Sequence, residues 1–171
     1  MHTRLVRMLL WLDKNLWAIP TIPFVAFEVS LAGIHLTGHG PVLLAMVSTS
    51  ARQETYASLT NTASALLGFT IAAIAVLAAF PPRPSNNAAQ RASEQRLSAA
   101  RTKLMASLLA TSFFMLTLLI TSTVALAVDS KKVGNPLLVA LVQGSALAVV
   151  FGLLVGGVGV LFVLLERSNI P

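Results

Sequence analysis

Residues 135–165 read NPLLVALVQGSALAVVFGLLVGGVGVLFVLL, and no Asp, Glu, Lys or Arg interrupts them. An uncharged apolar run of this length reads as a membrane-crossing helix. Asn135 supplies a cap and Pro136 suits the first helical position, where its missing N–H costs nothing. The run closes at Glu166-Arg167. At 1.5 Å per residue it spans roughly 45 Å, so it tilts in or protrudes from a hydrocarbon core of about 30 Å.

Working back along the chain, three similar runs appear. One extends from about Leu104 to Val128 and stops at Asp129-Ser130-Lys131-Lys132. Another extends from about Tyr56 to Phe80 and stops at Pro81-Pro82-Arg83-Pro84. The first covers about Leu16 to Leu36, starts beside Trp17, and contains Pro20, Pro23 and Glu28. The prolines withdraw helical donors from the carbonyls near Leu16 and Ile19, which predicts a kink. The whole chain is 56% hydrophobic and 11% charged, with a mean hydropathy of +0.80. Soluble domains carry roughly 25% charged residues, so disordered chains, coiled coils and most cytosolic enzymes are excluded. The expected fold is all-α: one integral membrane domain over residues 1–171, a four-transmembrane-helix bundle.

Shorter pieces connect the crossings. Residues 3–15 set Arg4, Arg7 and Lys14 among Leu5, Leu9 and Trp11, the pattern of an amphipathic helix on the membrane surface. Asp13 and Lys14 break its apolar stretch and no small-x-small site follows closely, so it reads as retained, not as a signal peptide. Pro41 to Arg52 is too short to span and reads as an interfacial or extramembrane helix. Residues 81–103 form a basic linker, helical from Ala88 to Lys103 after the proline break.

Lys and Arg total 12 against 6 Asp and Glu, giving net charge +6 and a pI near 10.9. Arg4, Arg7, Lys14, Arg83, Arg91, Arg96, Arg101, Lys103 and Arg167 fall at one side of the crossings; Arg52, Lys131 and Lys132 fall at the other. The asymmetry predicts N- and C-termini in the cytoplasm, and the expected location is the plasma (inner) membrane. Basic residues between apolar runs suit anionic lipid head groups rather than nucleic acid. Cysteine is absent, which excludes disulfides, thiolate metal sites and cysteine nucleophiles.

Two helices carry small residues in register. In the second crossing, Ser58, Asn61, Ala65, Gly68, Ala72, Ala75 and Ala79 follow steps of three and four along one face. In the fourth, Ala140, Gly144, Ala148, Gly152 and Gly156 follow steps of four and include a GxxxG motif. Such seams let membrane helices approach closely. The expected role is helix packing, with pore lining as the alternative.

Glu28 is the only charge well inside a crossing. An acid near the bilayer centre costs roughly 2.5–3.5 kcal/mol on insertion scales, so it is neutral, paired or wetted. It lies about eight residues, roughly 12 Å, from the outer end of its helix. The same depth reaches Ser64 with Asn61 and Thr62 in the second crossing, Thr117 and Thr121 in the third, and Gly144 between Gln143 and Ser145 in the fourth. This polar layer is the expected ion-binding region, though Ser and Thr can bond their own i−4 carbonyls instead. His35 and His39 have metal-like spacing, but Gly38 and Gly40 suggest a loop and no carboxylate stands beside them, so no metal or cofactor is expected.

No hydrolase, metalloprotease, nucleotide-binding or dinucleotide-binding motif is present, and no internal repeat is evident. The reading is a homo-oligomeric pore or channel subunit passing cations or protons, not an enzyme. The alternatives are a non-conducting accessory or scaffold subunit of a larger membrane complex, and a lipid-handling or intramembrane enzyme.

Overall fold

The computed structural model describes residues 15, 18–36, 43–79, 88–129 and 134–168. They form four α-helices: α1 (Thr21–Leu36), α2 (Thr49–Ala79), α3 (Ala88–Val128) and α4 (Pro136–Ser168). A short 3-10 turn, η1 (Leu43–Met46), precedes α2. The fold is all-helical, and α2, α3 and α4 are each long and apolar enough to cross a membrane. Large apolar side chains cover the outside: Phe69 is 70% exposed and Phe113 66%. An exposed apolar surface of this extent suits a membrane-embedded protein. The interfacial helix read over residues 3–15 lies outside the described residues apart from Asn15, as do residues 81–87 of the basic linker and His39.

Three boundaries differ from the sequence reading. α1 has 16 residues, about 24 Å, and is shorter than a full crossing. The helix starts after Pro20, and Pro23 sits in its first turn, where backbone donors have no helical partner anyway. The prolines therefore begin the helix instead of kinking it. α2 starts at Thr49, not Tyr56, because the polar residues assigned to a separate interfacial helix form its first turns. The Ser48 carbonyl accepts the Arg52 N–H at 2.9 Å. Finally, the linker extension and the third crossing are one helix, α3, 41 residues and about 60 Å long.

α3 and α4 form the centre, with α2 packed on α3 and α1 packed on α4. At the start of α4, Asn135 Oδ1 accepts the Leu137 N–H at 3.1 Å. The Asn135 carbonyl takes the Val139 N–H at 3.0 Å. The core gathers Tyr56 and Ala63 of α2, Phe114, Met115, Leu118 and Ala125 of α3, and Val142, Ala148 and Val149 of α4.

The lower part of the α4 ladder, with Gly159 beyond it, is taken up in packing against α3. A Cβ at Gly152 would collide with Thr111, one at Gly156 would lie 2.9 Å from Leu108 Cδ2, and one at Gly159 would lie 2.8 Å from Leu104 Cδ1. Three glycines of α4 thus receive three side chains from successive turns of antiparallel α3, the close approach that small residues permit.

Gly152→Leu should destabilise the fold by about 1–3 kcal/mol through overpacking. Gly157→Leu, where a Cβ has nothing within 4 Å, should leave it unchanged within about 0.5 kcal/mol. Helix melting in detergent, followed by circular dichroism, measures both.

Candidate functional site

The first polar cluster closes one end of the bundle. Arg52, in the first turns of α2, meets Asp129 at the end of α3. Nε donates to Oδ2 at 2.9 Å, and Nη2 donates to Oδ1 at 3.3 Å. Both side chains are buried. The Tyr56 hydroxyl, one turn along α2, donates to Oδ2 at 3.2 Å, and Arg52 Nη1 donates to the Val47 carbonyl at 2.7 Å. Gly134 lies against the guanidinium, where a Cβ would be 3.1 Å from Nε. A carboxylate this deeply buried needs such partners, and the planar fork of arginine supplies two parallel donors.

The same face of α2 continues the contact with α3. The Thr60 and Ser122 hydroxyls lie 2.8 Å apart. Thr70 donates to the Leu66 carbonyl at 2.8 Å and stands 3.6 Å from Met115 Sδ. Arg52, Tyr56, Thr60, Ala63 and Thr70 form one helical stripe, and this stripe faces α3.

The second cluster surrounds Gly144. A Cβ there would sit 2.5 Å from Glu28 Oε1 and 3.2 Å from Phe24 Cδ2, so α1 presses its acid and the ring one turn earlier directly onto the α4 backbone. Phe24 also meets Phe114 of α3, with ring centroids 5.2 Å apart. Glu28 Oε1, Gln143 Oε1 and Ser145 Oγ are buried without a hydrogen-bond partner among the described residues.

The third feature is the uncovered face of α2. Ser58, Asn61, Ala65, Gly68, Ala72, Ala75 and Ala79 are all exposed, and a Cβ at Gly68 would have nothing within 4 Å. Thr62 and Ser64, which flank this stripe, are exposed too. The seam lies roughly opposite the face that meets α3, because the two sets are about half a turn out of phase. Glu54 is also exposed and extends the same stripe by one step of four beyond Ser58.

The polar layer is therefore divided. Glu28 lies against Gly144 between α1 and α4, while Gln143 and Ser145, on either side of Gly144 in sequence, point to opposite sides of α4. Asn61, Thr62 and Ser64 stand on the outside of α2. Thr117 donates to the Phe113 carbonyl at 2.9 Å, and Thr121 to that of Thr117 at 2.8 Å, so both bond within α3. Gly152, Gly156 and Ala148 are buried packing residues, and Ala140 is half-buried.

Arg52 and Asp129, which the sequence places only at the margins of apolar runs, form a buried pair. The signal was available: one basic and one acidic residue flanked two apolar runs at the same end. Thr60, Ser122 and Glu54 were also passed over, and counting the small-residue stripe one step further reaches Glu54. The chain matches no protein family, and comparison with curated proteins and with solved structures finds no similar one.

Removing one partner of the buried ion pair leaves an uncompensated charge. Arg52→Ala or Asp129→Ala should each destabilise the fold by about 3–5 kcal/mol, while Arg52→Met with Asp129→Leu should cost less than either. Unfolding titrations of the three variants in mixed micelles give the comparison.

Proposed function

We propose that this chain is a membrane-embedded subunit of a homo-oligomer, and that its α2 helices surround a shared path for cations. The uncovered face of α2 carries the proposal. It runs from an acid, Glu54, through Ser58 and Asn61, with Thr62 and Ser64 beside it, to Ala65, Gly68, Ala72, Ala75 and Ala79. In lipid an exposed asparagine amide gains by finding polar partners or water. In a ring of subunits the Glu54 carboxylates gather at one mouth, the usual device for attracting cations. The polar residues lie below them, and the small apolar residues form a narrow inner segment of the kind that gates by dewetting.

In this reading the Arg52 end faces away from the cytoplasm, and both termini are cytoplasmic. With Arg52 paired to Asp129, Lys131 and Lys132 are the remaining basic residues at that end, against nine at the other. The membrane is the plasma (inner) membrane, and the basic N-terminal part of α3 meets anionic head groups.

A second reading, a non-conducting scaffold, draws on the inner half of the same face. From Ala65 to Ala79 the stripe has no polar group and would pack as the α4 ladder does.

Purified protein in liposomes should pass monovalent cations. Glu54→Gln should lower the flux at least roughly tenfold at low ionic strength and less at high salt, since field focusing by charged mouths is screened. A discrete ring by native mass measurement that conducts no ion favours the scaffold.

The chain lacks cysteine, so single cysteines report without background. Ala65→Cys should cross-link copies on mild oxidation in membranes, and Ile71→Cys, exposed on another face of α2, should not.

A further inference from the structure

We propose that Glu28 is a reversible proton-binding site, and that the bound proton holds α1 against α4. The site is separate from the α2 face and lies within one chain, so it does not depend on the assembly proposed above.

The first observation is the seat of the acid. A Cβ at Gly144 would come 2.5 Å from Glu28 Oε1 and 3.2 Å from Phe24 Cδ2. Glycine at 144 is what lets the carboxyl and the ring lie on the α4 backbone. Phe24 reaches on to Phe114 of α3, with ring centroids 5.2 Å apart, so the acid shares its contact with aromatic carbon. The second observation is the state of the oxygen itself. Glu28 Oε1 is buried and has no hydrogen-bond partner among the described residues.

The elements packed around the acid bring no counter-charge. The stretches from Pro136 to Leu165 in α4 and from Leu104 to Val128 in α3 contain no Asp, Glu, Lys, Arg or His. Within α1 the other titratable group is His35, two turns further along. A carboxylate withdrawn from water without a cation is far costlier than the neutral acid, so the seated form carries the proton.

α1 is placed to respond to the loss of that proton. It has 16 residues, about 24 Å, and packs chiefly on α4. Its other side is uncovered: Val25 is 50% exposed and Val29 66%. Ionised Glu28 gains by reaching water or the head-group layer, which lifts it from Gly144. The seated form holds the proton more tightly than the released form. The contact is therefore strongest in acid and weakens as pH rises above the ordinary carboxyl value of about 4.3.

Two readouts on the full chain in lipid test this together. Infrared difference spectra against Glu28→Gln, taken across pH, read the proton through the C=O stretch of the neutral carboxyl. Spin labels on cysteines at Val29 and Leu154, both exposed, read the α1–α4 distance by pulsed dipolar spectroscopy, with labelled protein diluted in unlabelled chain. At neutral pH the unaltered chain should show the carboxyl band and one narrow distance. With rising pH the band should fall about tenfold per unit beyond its midpoint, and the distance should lengthen and broaden with the same midpoint. Glu28→Gln, neutral at every pH, should keep the short distance throughout. Gly144→Ala, which fills the seat, should lose the band at lower pH and lengthen the distance already in acid, with helix content checked by circular dichroism. Absence of a Glu28 carboxyl band at neutral pH overturns the proposal, as does a band that never titrates or one that titrates while the distance stays fixed.

Discussion

The pairing of Arg52 with Asp129 decides how α2 faces the rest of the molecule. An apolar helix against another in lipid has many rotational settings of similar energy, because hydrocarbon is as good a neighbour as leucine. A two-pronged bond between buried opposite charges has one. With Nε on Oδ2 and Nη2 on Oδ1, and the Tyr56 hydroxyl on the same carboxylate, α2 is pinned to α3 along a single stripe. The hydroxyl contact of Thr60 with Ser122 and the placement of Thr70 near Met115 extend that stripe inward. Once the stripe is fixed, Glu54, Asn61 and Gly68 must point away from α3.

The two small-residue seams then have different fates for a physical reason. Gly152, Gly156 and Gly159 of α4 meet Thr111, Leu108 and Leu104 of α3 so closely that a side chain would not fit. Among the described residues, a Cβ at Gly68 of α2 would have nothing within 4 Å. Close packing in a membrane rewards small residues only where a second helix approaches. A polar and small face without such a neighbour among the described residues suits a second chain, or water. Glu28 belongs to the other side of the molecule, where α1 lies on α4, so the acid most visible in the sequence and the polar face of α2 are two features.

The helices themselves were legible because hydrophobicity and charge placement record them directly: uncharged runs, the Asn135-Pro136 start, and the glycine ladder of α4. Depth was also legible, since a helix rises evenly, and counting from the outer end places Glu28 level with Gly144. Direction around each helix axis was not. Residues at one height can face different neighbours, which is why Asn61 and Thr121 share a level with Glu28 without sharing a site. The buried ion pair was hidden for a related reason. Arg52 and Asp129 lie at the margins of apolar runs, where a charge is normally solvated, and 77 residues separate them.

The central claim, that the free face of α2 is where copies of the chain meet, is tested most directly by pulsed dipolar spectroscopy on the protein in lipid nanodiscs. Spin labels go on cysteines introduced singly at Gly68, Leu109 and Leu154, all exposed positions on α2, α3 and α4. The account predicts intermolecular distances that are shortest at position 68. Absence of coupling between chains, or a shorter distance at 109 or 154, would contradict it.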